Sequence, residues 1–180
     1  MRKLTMSELQ RMTIEEFKSA EKLPIVVVLD NLRSQNNIGS VFRTADAFRI
    51  QGVFLCGITS APPHREIHKT ALGATDSVDW FYRPTTLAAV KELQASGYTI
   101  LAVEQTHESI YLNDYQPVIG NNLAIVFGNE VNGIDEEILP YMQHCIEIPQ
   151  YGTKHSINVS VAVGIVVWEI FGKMNIHRNM

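Results

Sequence analysis

From residue 24 onward, short aliphatic runs alternate with segments of helical period, and this alternation leaves few folds open. Pro24 opens Ile25-Val26-Val27-Val28-Leu29, a run with no polar break. A strand with one wet face would alternate apolar and polar residues, so this run reads as a strand covered on both faces. Residues 38–49 follow with Ile38, Val41, Phe42, Ala45 and Phe48 on one helical face. The succession continues with a strand at Val53–Cys56, a Pro62-Pro63 loop and a short helix near 64–72. A helix over 85–96 starts at Thr85 or Thr86 and stops at Gly97, and strands follow at Tyr98–Val103 and Leu123–Phe127. A helix is expected around 134–142, a short strand at Cys145–Ile148 and a last helix over Ile157–Phe171. The fold class is therefore α/β, a mainly parallel sheet flanked by helices.

The 180 residues suit one domain. Residues 1–23 read as an N-terminal helical extension, with Ser7 or Thr13 as cap and Glu16 three positions after Thr13. Residues 24–180 form the domain proper. With 46% apolar and 19% charged residues the chain is globular. Asn158, Ser160 and Glu169 interrupt the apolar stretch 157–171, which is also shorter than the roughly 20 residues a membrane span needs. The N-terminus has no apolar signal core. A cytoplasmic location without membrane contact is expected, with Cys56 and Cys145 as free thiols.

Charge is unevenly placed. The net charge is −4, yet residues 92–153 hold nine acids and no Lys or Arg, whereas residues 1–91 hold twelve Lys and Arg against nine acids. A phosphate-facing surface would therefore be built by the first half. The dinucleotide, P-loop and hydrolase fingerprints are all missing. His64 and His68 stand at i, i+4 without a third ligand, so no metal site is expected.

In the last helix Ile157, Val159, Val161, Val163, Ile165, Val166, Val167, Trp168 and Ile170 leave almost no polar face. A helix apolar on every side is buried on every side. One face meets the sheet, and the other meets either a second subunit, which is the expectation, or the rest of a monomer core.

Three polar stretches interrupt this scaffold. Asn37-Ile38-Gly39-Ser40-Val41-Phe42-Arg43 lies where the first strand gives way to its helix, the edge at which open α/β sheets bind ligands. Asn37 can cap that helix, and Gly39 permits close backbone approach. Arg43, among apolar neighbours, calls for a partner: Asp46, Asp30 or a phosphate, which its planar fork suits. Phe127-Gly128-Asn129-Glu130 ends a strand, where Gly128 admits a ligand and Glu130 either caps the next helix or accepts from hydroxyl or amine donors. Ile148-Pro149 leads to Ser156-Ile157-Asn158-Val159-Ser160, with Ser156 as natural cap of the last helix and Asn158 and Ser160 needing partners if buried.

In order and spacing these stretches resemble the three motifs of the SpoU (TrmH-like) RNA 2′-O-ribose methyltransferases of the SPOUT superfamily, over about residues 24–171. Ile157 stands where that family commonly has Leu. The resemblance implies a C-terminal trefoil knot, S-adenosylmethionine as cofactor, transfer or ribosomal RNA as substrate, and a homodimer joined through the last helix. It assigns Gly128, Ile148 and Ile157 to the cofactor and Asn37, Arg43, Glu130, Ser156 and Asn158 to the reaction. Because only residues 1–23 precede the domain, Arg33, Arg49, Arg65, Lys69 and Lys154 are the expected RNA contacts. A different class of reading, a noncatalytic RNA-binding or cofactor-binding module on the same fold, is disfavoured by the presence of all five reaction positions.

Overall fold

The computed structural model describes residues 1–5 and 7–174. Helix α1 (Ile14–Ser19) leads into strand β1 (Leu23–Asp30), helix α2 (Gln35–Ala47) and strand β2 (Ile50–Cys56). Helices α3 (Arg65–Ala71) and α4 (Ala74–Ser77) precede β3 (Trp80–Arg83) and α5 (Thr86–Ala95). Strands β4 (Thr99–Val103), β5 (Ile110–Tyr111), β6 (Leu123–Phe127) and β7 (His144–Glu147) follow, and helix α6 (Val159–Lys173) closes the described chain. One seven-stranded sheet runs in the order β3-β2-β1-β6-β4-β7-β5, and its neighbouring pairs are all parallel. Parallel pairing puts the carboxyl ends of β1, β6, β4 and β7 along one edge.

The expected two-sided burial holds. On one face Ile25, Val27 and Leu29 pack with α1, α2, α3, α4 and α6; on the other Val26 and Val28 pack with α5 and with Ile134 and Ile138. Gly39 allows the close approach anticipated for it, and the approaching group is α3: a Cβ there would overlap the Thr70 hydroxyl and the Ile67 carbonyl.

Several expectations need correction. The N-terminal extension is helical only over α1, where Thr13 and Glu16 form the capping box and Phe17 is buried. The described residues before it bury no apolar side chain in the core, and a short helix without such burial is marginal in water. The helix expected at 134–142 is a 3₁₀ turn over Leu139–Tyr141. Pro140 has no N–H to give a helical partner, so the chain tightens into i→i+3 bonds such as Tyr141 N to Ile138 O at 3.0 Å. Ser34, not Asn37, caps α2 by accepting from the Asn37 amide. Asn158, not Ser156, caps α6. Strands β3 and β5 were too short to show a run. Residues 175–180 of the expected domain lie outside the described residues.

Candidate active site at the carboxyl edge of the sheet

The three polar stretches converge. Because Ser34 caps α2, the Asn37 side chain is free to leave its helix. Its Nδ2 donates to Glu130 Oε1 at 3.1 Å, and its Oδ1 accepts from Asn158 Nδ2 at 3.2 Å. Asn158 Oδ1 accepts in turn from the Ser160 amide at 2.9 Å and the Ser160 hydroxyl at 2.7 Å. The direction of donation is fixed at both ends, since a backbone N–H only donates and a carboxylate only accepts. The second oxygen of Glu130 accepts from the Arg33 amide at 3.4 Å. This carboxylate therefore lies at the amino end of α2, where the helix dipole favours negative charge.

The turn carrying Glu130 is held from beneath. Buried Asp30, at the end of β1, accepts from the Asp135 amide at 3.0 Å and from the Thr86 hydroxyl at 2.5 Å. Glu104, just past β4, accepts from the Ile134 amide at 3.0 Å. Asn129 and Gly133 exchange backbone hydrogen bonds at 3.0 and 3.1 Å. Within this turn a Cβ on Gly128 would overlap the backbone of Gly133 and Ile134. The glycine is thus required by the turn itself. Lone acids after a strand carry no sequence pattern, so the holding role of Asp30 and Glu104 had no signal in the sequence.

Arg43 is placed otherwise than expected. Its guanidinium is exposed and, among the described residues, makes no ion pair or hydrogen bond. Asp46, a possible partner, instead takes the Ser77 hydroxyl at 2.6 Å, and Asp30 is committed as above. Helical period puts Arg43 on one face of α2 with Asn36, Ser40 and Ala47, a different face from Asn37 and outside the junction's hydrogen bonds.

The remaining expected positions are scattered along this edge or away from it. Ser156 is exposed and takes no part in the network. Ile148 and Ile157, both half-buried, follow β7 and precede α6. The loop between them is tied to the segment after β4 by Gln105 Nε2 donating to His155 O at 3.3 Å. Beside Gln105, the buried Thr106 hydroxyl has no partner among the described residues. Arg33 and Lys154 are exposed at the site edge, and Arg65 and Lys69 are exposed on α3. Arg49 precedes β2 and so lies at the opposite, amino edge of the sheet. His64 is used as the α3 cap; among the described residues no cluster of three metal-ligating side chains occurs, and no helix is long and apolar enough to cross a membrane.

Known proteins resemble this chain in sequence and fold. The profile described as the SpoU rRNA Methylase family matches residues 24–168. A protein of Staphylococcus saprophyticus whose name places it in the TrmH family of tRNA/rRNA methyltransferases is 32% identical over 164 residues, covering 90% of this chain and 64% of its own. The chain thus spans just under two thirds of such relatives. An AdoMet-bound rRNA methyltransferase from Sinorhizobium meliloti superposes with a TM-score of 0.77 at 25% identity, over 83% of this chain and 56% of its own. The TrmH/SpoU tRNA modifying enzyme of A. aeolicus superposes with a TM-score of 0.79 at 24% identity, over 92% and 82%.

Proposed function

The chain belongs to the SpoU rRNA methylase family, and on that premise we propose that it methylates a ribose 2′-hydroxyl of transfer or ribosomal RNA with S-adenosylmethionine. The observation that carries the reading is the junction of Asn37, Glu130 and Asn158, hydrogen-bonded across 93 and 121 residues of sequence, with Arg43 exposed on the same helix as Asn37.

The residues present fit the cofactor. The buried Thr106 hydroxyl lacks a partner among the described residues and follows β4, between the strand ends that lead to Gly128 and Ile148. Backbone near Gly128, Ile148 and Ile157 would hold the adenosine. When bound, S-adenosylmethionine supplies an activated methyl group on a sulfonium, itself a good leaving group. The protein's part is position and proton handling. Arg43 does not give up its proton, so it grips the phosphate beside the target ribose. Glu130, held by Asn37 and the Arg33 amide, or an oxygen of that phosphate, takes the hydroxyl proton. Asn37, Asn158 and Ser160 fix where Glu130 points.

Two further features belong to this proposal. Val161, Ile165 and Trp168 are exposed along one side of α6, an apolar stripe suited to a homodimer partner. A trefoil knot would lie in the C-terminal part, whose strands β6 and β7 flank β4 and whose Lys173 reaches the carbonyls of Leu112, Asn113 and Tyr115 at 2.7–2.9 Å. The RNA substrate implies a cytoplasmic location.

The test is tritiated methyl transfer to mixed tRNA and rRNA, followed by digestion to nucleosides. Label in 2′-O-methyl nucleosides is expected. A methylated base would refute the ribose target, and cofactor binding without transfer would point to the noncatalytic module.

A further inference from the structure

A cleft of about 490 Å³ is lined by none of the residues of the reaction site, and it is within the size range of pockets that hold small ligands. Its apolar walls include Pro63 and the half-buried indole of Trp80, at the start of β3. Its α3 rim carries His64, Arg65 and His68, all exposed, and its α4 rim carries the exposed Asp76. His64 takes the Glu66 amide on Nδ1 at 3.3 Å, which fixes the ring and leaves Nε2 for another group. The Arg65 side chain is 95% exposed, and its ion pair with Glu66 is long, at 4.0 Å.

The elements that carry the cleft are tied to the first turn of α2. The Thr70 hydroxyl of α3 donates to Asn36 O at 3.1 Å, and Gln35 Nε2, in the first turn of α2, donates to Ser60 Oγ at 3.4 Å. The loop that opens the cleft therefore borders the first turn of α2, from which Asn37 enters the reaction site.

We propose that this cleft receives one unstacked nucleotide of the substrate RNA, its base against Trp80 and its phosphate against Arg65 and His68. Every base has a flat face that an aromatic ring can stack on, and recognition of single-stranded RNA works by splaying bases out onto such rings. Guanidinium and imidazole N–H groups supply the phosphate donors. Asp76 only accepts, so it matches the exocyclic amine of cytosine, adenine or guanine better than uracil, whose one donor, N3–H, stands between two carbonyl oxygens. The proposal rests on RNA being the substrate.

The sequence has two tryptophans, so Trp168→Phe makes Trp80 the sole reporter in the full chain. Its fluorescence is titrated with oligo(C), oligo(U) and free 5′-CMP. In parallel, methyl transfer to mixed tRNA and rRNA is measured for Trp80→Leu and for Arg65→Ala/His68→Ala. The second variant alters only exposed side chains and keeps the test decisive if the first fails to fold. Oligo(C) is expected to quench at lower concentration than oligo(U), and each variant to raise KM about tenfold, with the loss falling on KM rather than kcat. Unchanged KM in Arg65→Ala/His68→Ala overturns the proposal and leaves the methyltransferase reading intact. Quenching by 5′-CMP as tight as by oligo(C) also overturns it, assigning the cleft to a free nucleotide. If the wild-type protein methylates no RNA, the substrate reading fails, and the oligo(C) titration decides the cleft: quenching supports it, and no quenching overturns it.

Discussion

At the scale of single residues, chemistry and stability separate cleanly. Arg43 is exposed and bonded to nothing described, so its removal leaves no unsatisfied partner inside the protein. Arg43→Ala is expected to lower methyl transfer by about 100-fold or more, with unfolding stability changed by less than about 0.5 kcal/mol. Arg43→Lys should recover little, because a lysine offers a point charge in place of the fork. Near-normal turnover and RNA affinity in Arg43→Lys would refute the phosphate-gripping role. Cys56 is the opposite case. Burial pushes its thiol up to about 12; the Thr86 hydroxyl partly offsets this, and the nearby Asp30 carboxylate adds to it. In the unfolded chain the thiol ionises near its ordinary value, so above about pH 9 the unfolded state holds fewer protons than the folded one. Stability then falls as pH rises, by about 1.4 kcal/mol per pH unit from this group alone. Tyr98 and Tyr115, also raised by burial, act in the same sense. Urea unfolding between pH 8.5 and 10.5 should show this decline, and Cys56→Ala should flatten it; equal slopes would sink the assignment.

At the scale of elements, caps and breakers decided where periodicity alone misled. Ile134 and Ile138 stand at helical spacing and both are buried, yet Pro140 and the carboxylates of Glu104 and Asp30 draw the segment into turns. Ser34 and Asn158 take the capping roles first read for Asn37 and Ser156, which frees Asn37 for Glu130. In α6 the apolar residues serve two surfaces: Val163, Val166, Val167 and Ile170 are buried in the core on the side of α2, while Val161, Ile165 and Trp168 remain open in the protomer. Trp168→Glu is expected to convert the proposed dimer to a monomer by size-exclusion chromatography with light scattering, with far-ultraviolet circular dichroism preserved. A wild-type protein that runs as a monomer at micromolar concentration would remove the interface from α6.

At the scale of the whole molecule, the proposed knot makes a mechanical prediction. Pulled from its two ends, a knotted chain should unfold to a contour shorter than about 3.6 Å per residue allows, because the tightened knot keeps some residues. A full-length contour would rule the knot out. The strand runs, the α/β alternation and the three polar stretches were legible in the sequence because they depend on local period and residue type. Which Asn meets which carboxylate was not, since Asn37, Glu130 and Asn158 lie 93 and 121 residues apart and meet only after the strands pair. The sequence by itself determined a two-sided parallel sheet, through Ile25–Leu29 and its counterparts, whose apolar faces both had to be covered. Only the tertiary structure decided that Gly128 serves its own turn, that Arg43 is left uncommitted, and that Asp30 and Glu104 hold the site from below. Those outcomes follow from hydrogen-bond partners that long-range packing brings within about 3 Å, a distance on which local pattern has no hold.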